Sequence, residues 1–206
     1  MTVRAVVFDI GNVLIEWNPE RMYDRVIGVA RREALFAAVD LHGMNVRVDA
    51  GANWAEEVRA LAAAHPDHAG DIMLWHDRWI EMASPVIPRS VRLMEALQRK
   101  GVPVFALTNF GVQTFDYAVT QYPFLGRFDR AFVSGVLRAS KPEARIYEIV
   151  EAESGLRGAE LIFADDRPEN IAAAEARGWK GHVFTTPEGW AARLVAEGLL
   201  TEEEAA

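Results

Sequence analysis

Two kinds of hydrophobic pattern divide this chain. In residues 3–8 four of six positions are Val or Phe, without Gly or Pro, and similar short apolar runs recur beyond residue 100. Between residues 16 and 88, apolar positions instead follow a helical spacing. Short apolar runs are typical of strands buried on both faces of a parallel sheet, and the longer spacing indicates amphipathic helices. The pattern therefore predicts an α/β core that is interrupted by a helical segment.

The predicted elements alternate in the core and are helical in the interruption. Core strands are expected at 3–8, 102–108, 131–134, 161–164 and 182–184, and core helices at 90–100, 112–121, 143–151, 168–177 and 188–196. Within 16–88 the pattern predicts helices at 19–29, 32–39, 54–64 and 67–82, capped at Asn18 and Asn53 where they begin, with a loop at 41–51 and no strand. Prolines make 84–88 a stiff connector, and residues 201–206 are expected to fray.

This alternation predicts a Rossmann-like, doubly wound parallel sheet with a small inserted α-helical cap domain. The core is expected to comprise residues 1–15 and 89–206, and the cap residues 16–88. Ligands of open α/β sheets bind at the carboxyl ends of the strands. A cap inserted directly after the first strand would therefore lie over the ligand-binding edge.

Composition and charge narrow the class of protein. The 206 residues are 50% hydrophobic and 25% charged, as in ordinary globular proteins, and the net charge of −8 without any basic run disfavours nucleic-acid binding. The absence of cysteine excludes disulfides and thiolate metal sites. Without a signal-peptide pattern or a membrane-length apolar run, the expectation is a soluble cytoplasmic protein without membrane association.

Polar side chains with chemical potential follow the ends of the predicted strands. They are Asp9 after the first strand, Thr108 and Asn109 after the second, Lys141 beyond the third, and Asp165 and Asp166 after the fourth. Right-handed crossovers would bring these ends to one edge of the sheet. Paired carboxylates suit Mg²⁺, while Lys141 and the Thr108 hydroxyl could hold phosphoryl oxygens. Each residue alone is an ordinary turn or cap residue, but together they indicate phosphoryl transfer by an aspartyl nucleophile.

Four segments in this order resemble the haloacid-dehalogenase superfamily of hydrolases, in the branch with a helical cap after the first motif. They are residues 8–13, 107–109, 141–147 and 163–170. The resemblance covers almost the whole chain. It implies a hydrolase that acts on a small phosphate ester, with a sugar phosphate as the leading substrate class.

The resemblance also implies a role for each matching residue. Asp9 would attack phosphorus and become an aspartyl phosphate, and Mg²⁺ would be bound by Asp9, the Gly11 carbonyl and Asp166, with Asp165 beside them. Thr108 and the Asn109 backbone N–H would bind phosphate oxygens. Lys141 would balance the charge between nucleophile and phosphate, and Asn170 would fix the loop after the fourth strand.

One position departs from the pattern of the family's phosphatases. Most of them carry a second Asp two residues after the nucleophile as the general acid and base, whereas this chain has Gly11. The substrate could have a good leaving group, a cap residue such as His76 or His42 could substitute, or phosphatase activity could be slow or lost. The sequence leaves these explanations open.

The same departure keeps two other functions open. One is a metal-independent 2-haloacid dehalogenase, which Gly11 and Tyr147 fit but Val13 and the Asp165-Asp166 pair disfavour, since extra negative charge repels an anionic substrate. The other is a non-catalytic regulatory protein that binds a phosphate ligand.

The cap contains both expected packing residues and candidate substrate contacts. Trp54, Trp75 and Trp79 are expected to pack in its interior, because two of them are four residues apart and share a helix face. Trp17 is a candidate for the pocket entrance. Asn45 and Arg47, in the predicted loop at 41–51, are candidates for contact with substrate.

Overall fold

A computed structural model describes residues 2–206 and contains a five-stranded parallel sheet and a separate antiparallel pair of strands. The strands in chain order are β1 (Ala5–Phe8), β2 (Ile15–Trp17), β3 (Ala83–Val86), β4 (Val104–Thr108), β5 (Arg130–Val133), β6 (Leu161–Asp165) and β7 (Lys180–Val183). The large sheet has the order β5-β4-β1-β6-β7, with all neighbours parallel. The predicted doubly wound parallel sheet is therefore confirmed, with β1 at its centre.

Twelve α-helices accompany these strands in residues 2–206. They are α1 (Pro19–Ile27), α2 (Val29–Ala38), α3 (Leu41–Asp49), α4 (Trp54–Ala64), α5 (Ala69–Asp77), α6 (Trp79–Met82), α7 (Pro88–Arg99), α8 (Val112–Gln121), α9 (Ser134–Leu137), α10 (Ala144–Ser154), α11 (Pro168–Glu175) and α12 (Pro187–Ala196). Helices α1 to α6 all lie between β2 and β3 in the chain, and none of residues 16–88 joins the large sheet. The division of the chain into core and cap domains at residues 15 and 89 stays a prediction.

The central strand β1 is buried on both faces. Val6 and Phe8 point into one hydrophobic cluster, whereas Ala5 and Val7 point into a second cluster on the other side. The first cluster continues without a break into the cap helices, where it includes Trp75. The cap and the core therefore bury their apolar surfaces against each other, which stabilises the position of the helices over the sheet.

The caps of two predicted helices are confirmed by their hydrogen bonds. The Asn18 side chain accepts from the Arg21 N–H at the start of α1, and the Asn53 side chain accepts from the Glu56 N–H at the start of α4. The helix predicted at 67–82 is wrong in one respect, because it ends at Asp77 and α6 begins only after Arg78.

The prediction that residues 16–88 contain no strand is wrong. Strands β2 and β3 pair antiparallel, with Ile15 opposite Val86 and Trp17 opposite Ala83, so the predicted stiff connector at 84–88 overlaps a strand. The partners are far apart in sequence and each strand is short, so neither shows a local pattern of its own. Together they form a two-stranded ribbon through which the chain enters and leaves the cap.

Two further expectations are wrong. The predicted loop at 41–51 is largely helix α3, because Asp40 caps it through the Gly43 N–H and it buries Leu41, Met44 and Val48. The C-terminal segment does not fray: the Ala205 N–H donates to the Thr201 carbonyl, and Ala205 is buried. Apolar contact and local hydrogen bonds thus order both segments. Among residues 2–206, no helix combines the length and the apolar character needed to cross a bilayer.

Candidate active site

The carboxyl ends of the central strands open into one cavity of about 650 Å³ beneath the cap. Its core-side lining includes Asp9, Gly11, Thr108, Asn109, Lys141, Asp166 and Asn170. Asp165, the last residue of β6, lies directly behind this lining and is fully buried. All eight residues predicted for the site therefore meet at one edge of the sheet, although they come from four separate parts of the chain.

Lys141 joins the nucleophile candidate to the end of β6. Its Nζ lies 2.8 Å from Asp9 Oδ1 and 2.7 Å from Asp165 Oδ2, and its side chain is 1% exposed. Burial lowers the pKa of this ammonium, but the attraction of the two carboxylates outweighs burial and the pKa is raised. Lys141 is therefore a charged group at a fixed position beside Asp9.

Asp165 is held by several donors besides Lys141. The Asn170 side chain donates to both of its oxygens, at 2.9 and 3.0 Å, and the Arg167 N–H donates at 2.8 Å. The Asn170 carbonyl in turn accepts from the Tyr147 hydroxyl at 2.9 Å. These contacts suit Asp165 and Asn170 to positioning Lys141, and Tyr147 supports them from the core rather than reaching the cavity.

The loops after β4 and β5 are joined by a reciprocal pair of hydrogen bonds. The Asn109 side-chain amide donates to the Lys141 carbonyl at 2.9 Å, and its oxygen accepts from the Lys141 N–H at 2.8 Å. Thr108, at the end of β4, is 1% exposed and lines the cavity next to them. A hydroxyl and an ammonium that can both bind anionic oxygens are thereby held on the same side of the cavity.

The three carboxylates of Asp9, Asp165 and Asp166 fit a hard cation. One oxygen from each lies within 4.8 Å of the others, and the donor set is all oxygen, as Mg²⁺ prefers. Burial raises the pKa of Asp9 to about 7, with Lys141 opposing and Asp165 adding to the shift, and burial also raises the pKa of Asp166. Three acidic groups beside one ammonium leave excess negative charge, so a bound divalent cation would favour the ionised carboxylates.

The cap contributes the opposite wall of the cavity through α3 and its neighbours. His42, Asn45 and Asp49 line it from α3, and Trp17 and Trp79 line it from the ribbon and α6. Two of the cap predictions are wrong in position. His76 stacks against Trp54 instead of facing the cavity, and Arg47 pairs with Glu57 at 2.8 Å, also away from it. Trp54, Trp75 and Trp79 are buried, as predicted.

Sequence reasoning missed several side chains of this cavity, among them Asn12 and Asp49. Asn12 donates to Asp166 at 3.0 Å and accepts from the Trp17 N–H at 2.9 Å; its φ of 55° is a conformation that Asn tolerates better than most residues. Asp49 stands at the C-terminal end of α3. The spacing of Leu41, Met44 and Val48 could have revealed that helix, and with it the side of α3 on which Asp49 lies.

Comparison with known proteins agrees with this geometry. The family model of haloacid dehalogenase-like hydrolases matches residues 3–178. Sesquiterpene phosphatase astK of Aspergillus oryzae is 26% identical over 196 residues, 87% of this chain and 89% of that protein. Phosphoglycolate phosphatase of Yersinia pseudotuberculosis is 24% identical over 183 residues, 85% of this chain and 78% of that protein.

The fold has a solved counterpart. The HAD family enzyme bt-2542 of Bacteroides thetaiotaomicron, crystallised in complex with magnesium and inorganic phosphate, superimposes with a TM-score of 0.68 and 19% identity, covering 89% of this chain and 95% of that one. Because the family model spans most of its length, this chain belongs to the haloacid dehalogenase-like hydrolases. It is a hydrolase whose named relatives include phosphatases.

Proposed function

We propose that this protein is a Mg²⁺-dependent phosphatase that hydrolyses a small-molecule phosphate monoester through a phosphorylated Asp9. The observation that carries the proposal is the excess of acidic charge, three carboxylates with one ammonium, around the nucleophile candidate. A cluster of this kind can bind a divalent cation, and with one it can accept a phosphate dianion. The magnesium complex of bt-2542 supports this choice of metal.

Asp9, the Gly11 carbonyl and Asp166 would hold the metal, with Asp165 and Asn12 supporting them. Bound Mg²⁺ would screen the repulsion between the Asp9 carboxylate and the phosphate and stabilise charge on the phosphoryl oxygens. The Thr108 hydroxyl and the Asn109 N–H would orient those oxygens. Lys141, fixed between Asp9 and Asp165, would keep the attacking carboxylate ionised and in place.

The attack forms a bond between an Asp9 oxygen and phosphorus and breaks the bond from phosphorus to the leaving oxygen. Water then attacks the phosphorylated Asp9, releases inorganic phosphate and restores the carboxylate. The cap forms the wall of the cavity opposite the strand ends, so the phosphoryl group would react between cap and core.

Two substrate classes deserve testing first. A sugar phosphate is the class implied by the sequence resemblance. An ester of an apolar alcohol is the second class, because Trp17, Trp79 and Phe110 give the cavity aromatic walls and because one relative is named a sesquiterpene phosphatase. A cavity of about 650 Å³ accommodates either kind of small molecule.

The test combines a substrate panel with one variant. Sugar phosphates, phosphoglycolate, isoprenoid phosphates and 2-haloacids would be assayed with Mg²⁺ and with chelator. We expect phosphate release that requires Mg²⁺ and falls at least about 10³-fold in Asp9→Asn, while that variant keeps the wild-type circular dichroism spectrum.

Other results would overturn the proposal. Phosphate release that survives complete metal removal would exclude the metal's role, and normal turnover by Asp9→Asn would exclude the nucleophile. Halide release without metal would instead establish the dehalogenase, and ligand binding without any turnover would establish the regulatory protein.

A further inference from the structure

The proposed reaction needs a proton for the leaving oxygen, and Gly11 cannot supply one. An added Cβ on Gly11 would meet no heavy atom within 4 Å outside the adjacent residues of the chain, so space beside the nucleophile is left open. Apart from the groups already assigned to metal or phosphate, the carboxyl and imidazole side chains of the cavity wall are those of Glu16, His42, Asp49 and Glu143.

Three of these four groups are poorly suited to deliver a proton. Glu16 is already engaged in an ion pair with Arg21. His42 has a side chain that is 58% exposed and faces Glu20 at 3.5 Å. Glu143 is exposed to solvent beyond Lys141. Asp49 differs, because within residues 2–206 no Lys or Arg forms an ion pair with it.

The structure fixes Asp49 against the core instead of leaving it on a mobile surface. The Ser134 hydroxyl donates to the Asp49 carbonyl at 2.6 Å, and Val48 packs so closely on Gly111 that an added Cβ there would lie 2.5 Å from Val48 Cγ1. The Asp49 carboxylate accepts from the Asn45 side chain at 2.9 Å and from the Gly111 N–H. The group is thus held next to the loop that follows Thr108.

The surroundings of the Asp49 carboxyl favour its protonated form. Burial raises its pKa to about 8; the hydrogen bond from Gly111 opposes the shift and the charge of Asp9 adds to it. Its position at the C-terminal end of α3 also disfavours negative charge. Two cationic side chains lie in this region. Arg138 lies beside Gly51, two residues further along the chain than Asp49, and Lys141 is already bound to Asp9 and Asp165, so neither of them forms an ion pair with Asp49.

On the premise of the phosphatase activity proposed above, we propose that Asp49 of the cap is the general acid and base that replaces the side chain absent at position 11. As Asp9 attacks, the bond from phosphorus to the leaving oxygen breaks and the Asp49 carboxyl gives that oxygen its proton. The resulting Asp49 carboxylate then takes a proton from the water that attacks phosphorus. The bond between phosphorus and Asp9 breaks, and both side chains return to their starting states.

The test compares esters that differ in their need for a proton. Asp49→Asn keeps the shape of the side chain but cannot give a proton, and Asp116→Asn, on the exposed side of α8, is the matched control. We expect Asp49→Asn to lower kcat/KM about 10²–10⁴-fold for the best alkyl ester of the panel, but less than about 10-fold for p-nitrophenyl phosphate, whose leaving group needs little protonation. Its pH profile should also lose the alkaline limb of the wild type.

A second variant provides a rescue. Gly11→Asp has room for its side chain. Combining it with Asp49→Asn should therefore raise kcat/KM for the alkyl ester at least about 10-fold above that of Asp49→Asn alone. Equal losses on both esters, or a loss no larger than that of Asp116→Asn, would overturn the role of Asp49 while the wild type remains an active phosphatase. If the wild type hydrolyses neither ester, the proposed function itself fails.

Discussion

Replacement of Lys141 by Met should destabilise the protein more than any ordinary salt-bridge substitution. The change removes the ammonium that contacts Asp9 and Asp165, whose side chains are 10% and 0% exposed, and leaves two buried carboxylates without their cation. Breaking a buried pair in this way costs about 3–5 kcal/mol. For a chain of this size, such a loss lowers Tm by roughly 6–20 °C.

The effect should depend on pH in a defined direction. Burial already raises the pKa of Asp9 to about 7 in the folded protein, and Lys141→Met removes the ammonium that opposes this shift. The unfolded chain therefore binds fewer protons near neutral pH, and stability falls as pH rises. The cost of Lys141→Met should be greatest above pH 7 and should shrink towards pH 4, where Asp9 is neutral in the folded state.

Urea unfolding in the presence of chelator would measure this cost. The matched control is Lys100→Met, which removes a 2.8 Å pair with Glu204 whose side chains are 35% and 37% exposed. That variant should lose less than about 1 kcal/mol at any pH. Equal losses in the two variants, or a Lys141→Met cost that is the same at pH 5 and pH 8, would refute the reasoning.

Two further predictions concern other hydrogen-bonded carboxylates. Asn12→Gly keeps the positive φ available but removes the donor to Asp166, so Mg²⁺ affinity measured by calorimetry should fall about 10–100-fold, and an unchanged Kd would count against this support. Contacts with Arg177 and Trp179 outweigh the effect of burial and hold the pKa of Glu151 low. Glu151→Gln weakens these contacts and should lower the free energy of unfolding by about 1.5–3 kcal/mol at pH 7. Because the pKa of Glu151 is lower in the folded protein than in the unfolded chain, its ionised form stabilises the fold at pH values above the unfolded-state pKa. The difference in the free energy of unfolding between wild type and Glu151→Gln should therefore disappear as pH falls below about 4, and a difference that persists at pH 3 would contradict the prediction.

The sequence predicted the α/β core well because its signals are local. The apolar runs around Val6 and Leu107 and the polar residues that follow them lie within single segments of the chain. Once the strands are parallel and the crossovers right-handed, residues such as Asp9 and Asp166 must meet. The convergence of the site could therefore be predicted without knowing any distance.

The cap was harder to predict because its order depends on distant contacts. Helix α3 contains Gly43 and Asn45, which are weak helix formers, and it is stabilised by burial of Met44 and Val48. The interpretation of this segment as a loop hid the side of the helix on which Asp49 lies. Pairing of β2 with β3 was likewise invisible, because neither strand has a repeating pattern long enough to detect.

The ribbon of β2 and β3 has a consequence for how such a protein can diversify. Because Trp17 and Ala83 are opposite each other, the points where the polypeptide departs from the sheet and returns to it are neighbours. The intervening helices can thus be exchanged for an unrelated module without displacing β1 or the loops that hold Lys141. Selectivity towards new compounds can then evolve, or be engineered by grafting, while Asp9 and Lys141 stay in place and the new module supplies its own proton donor in the position of Asp49.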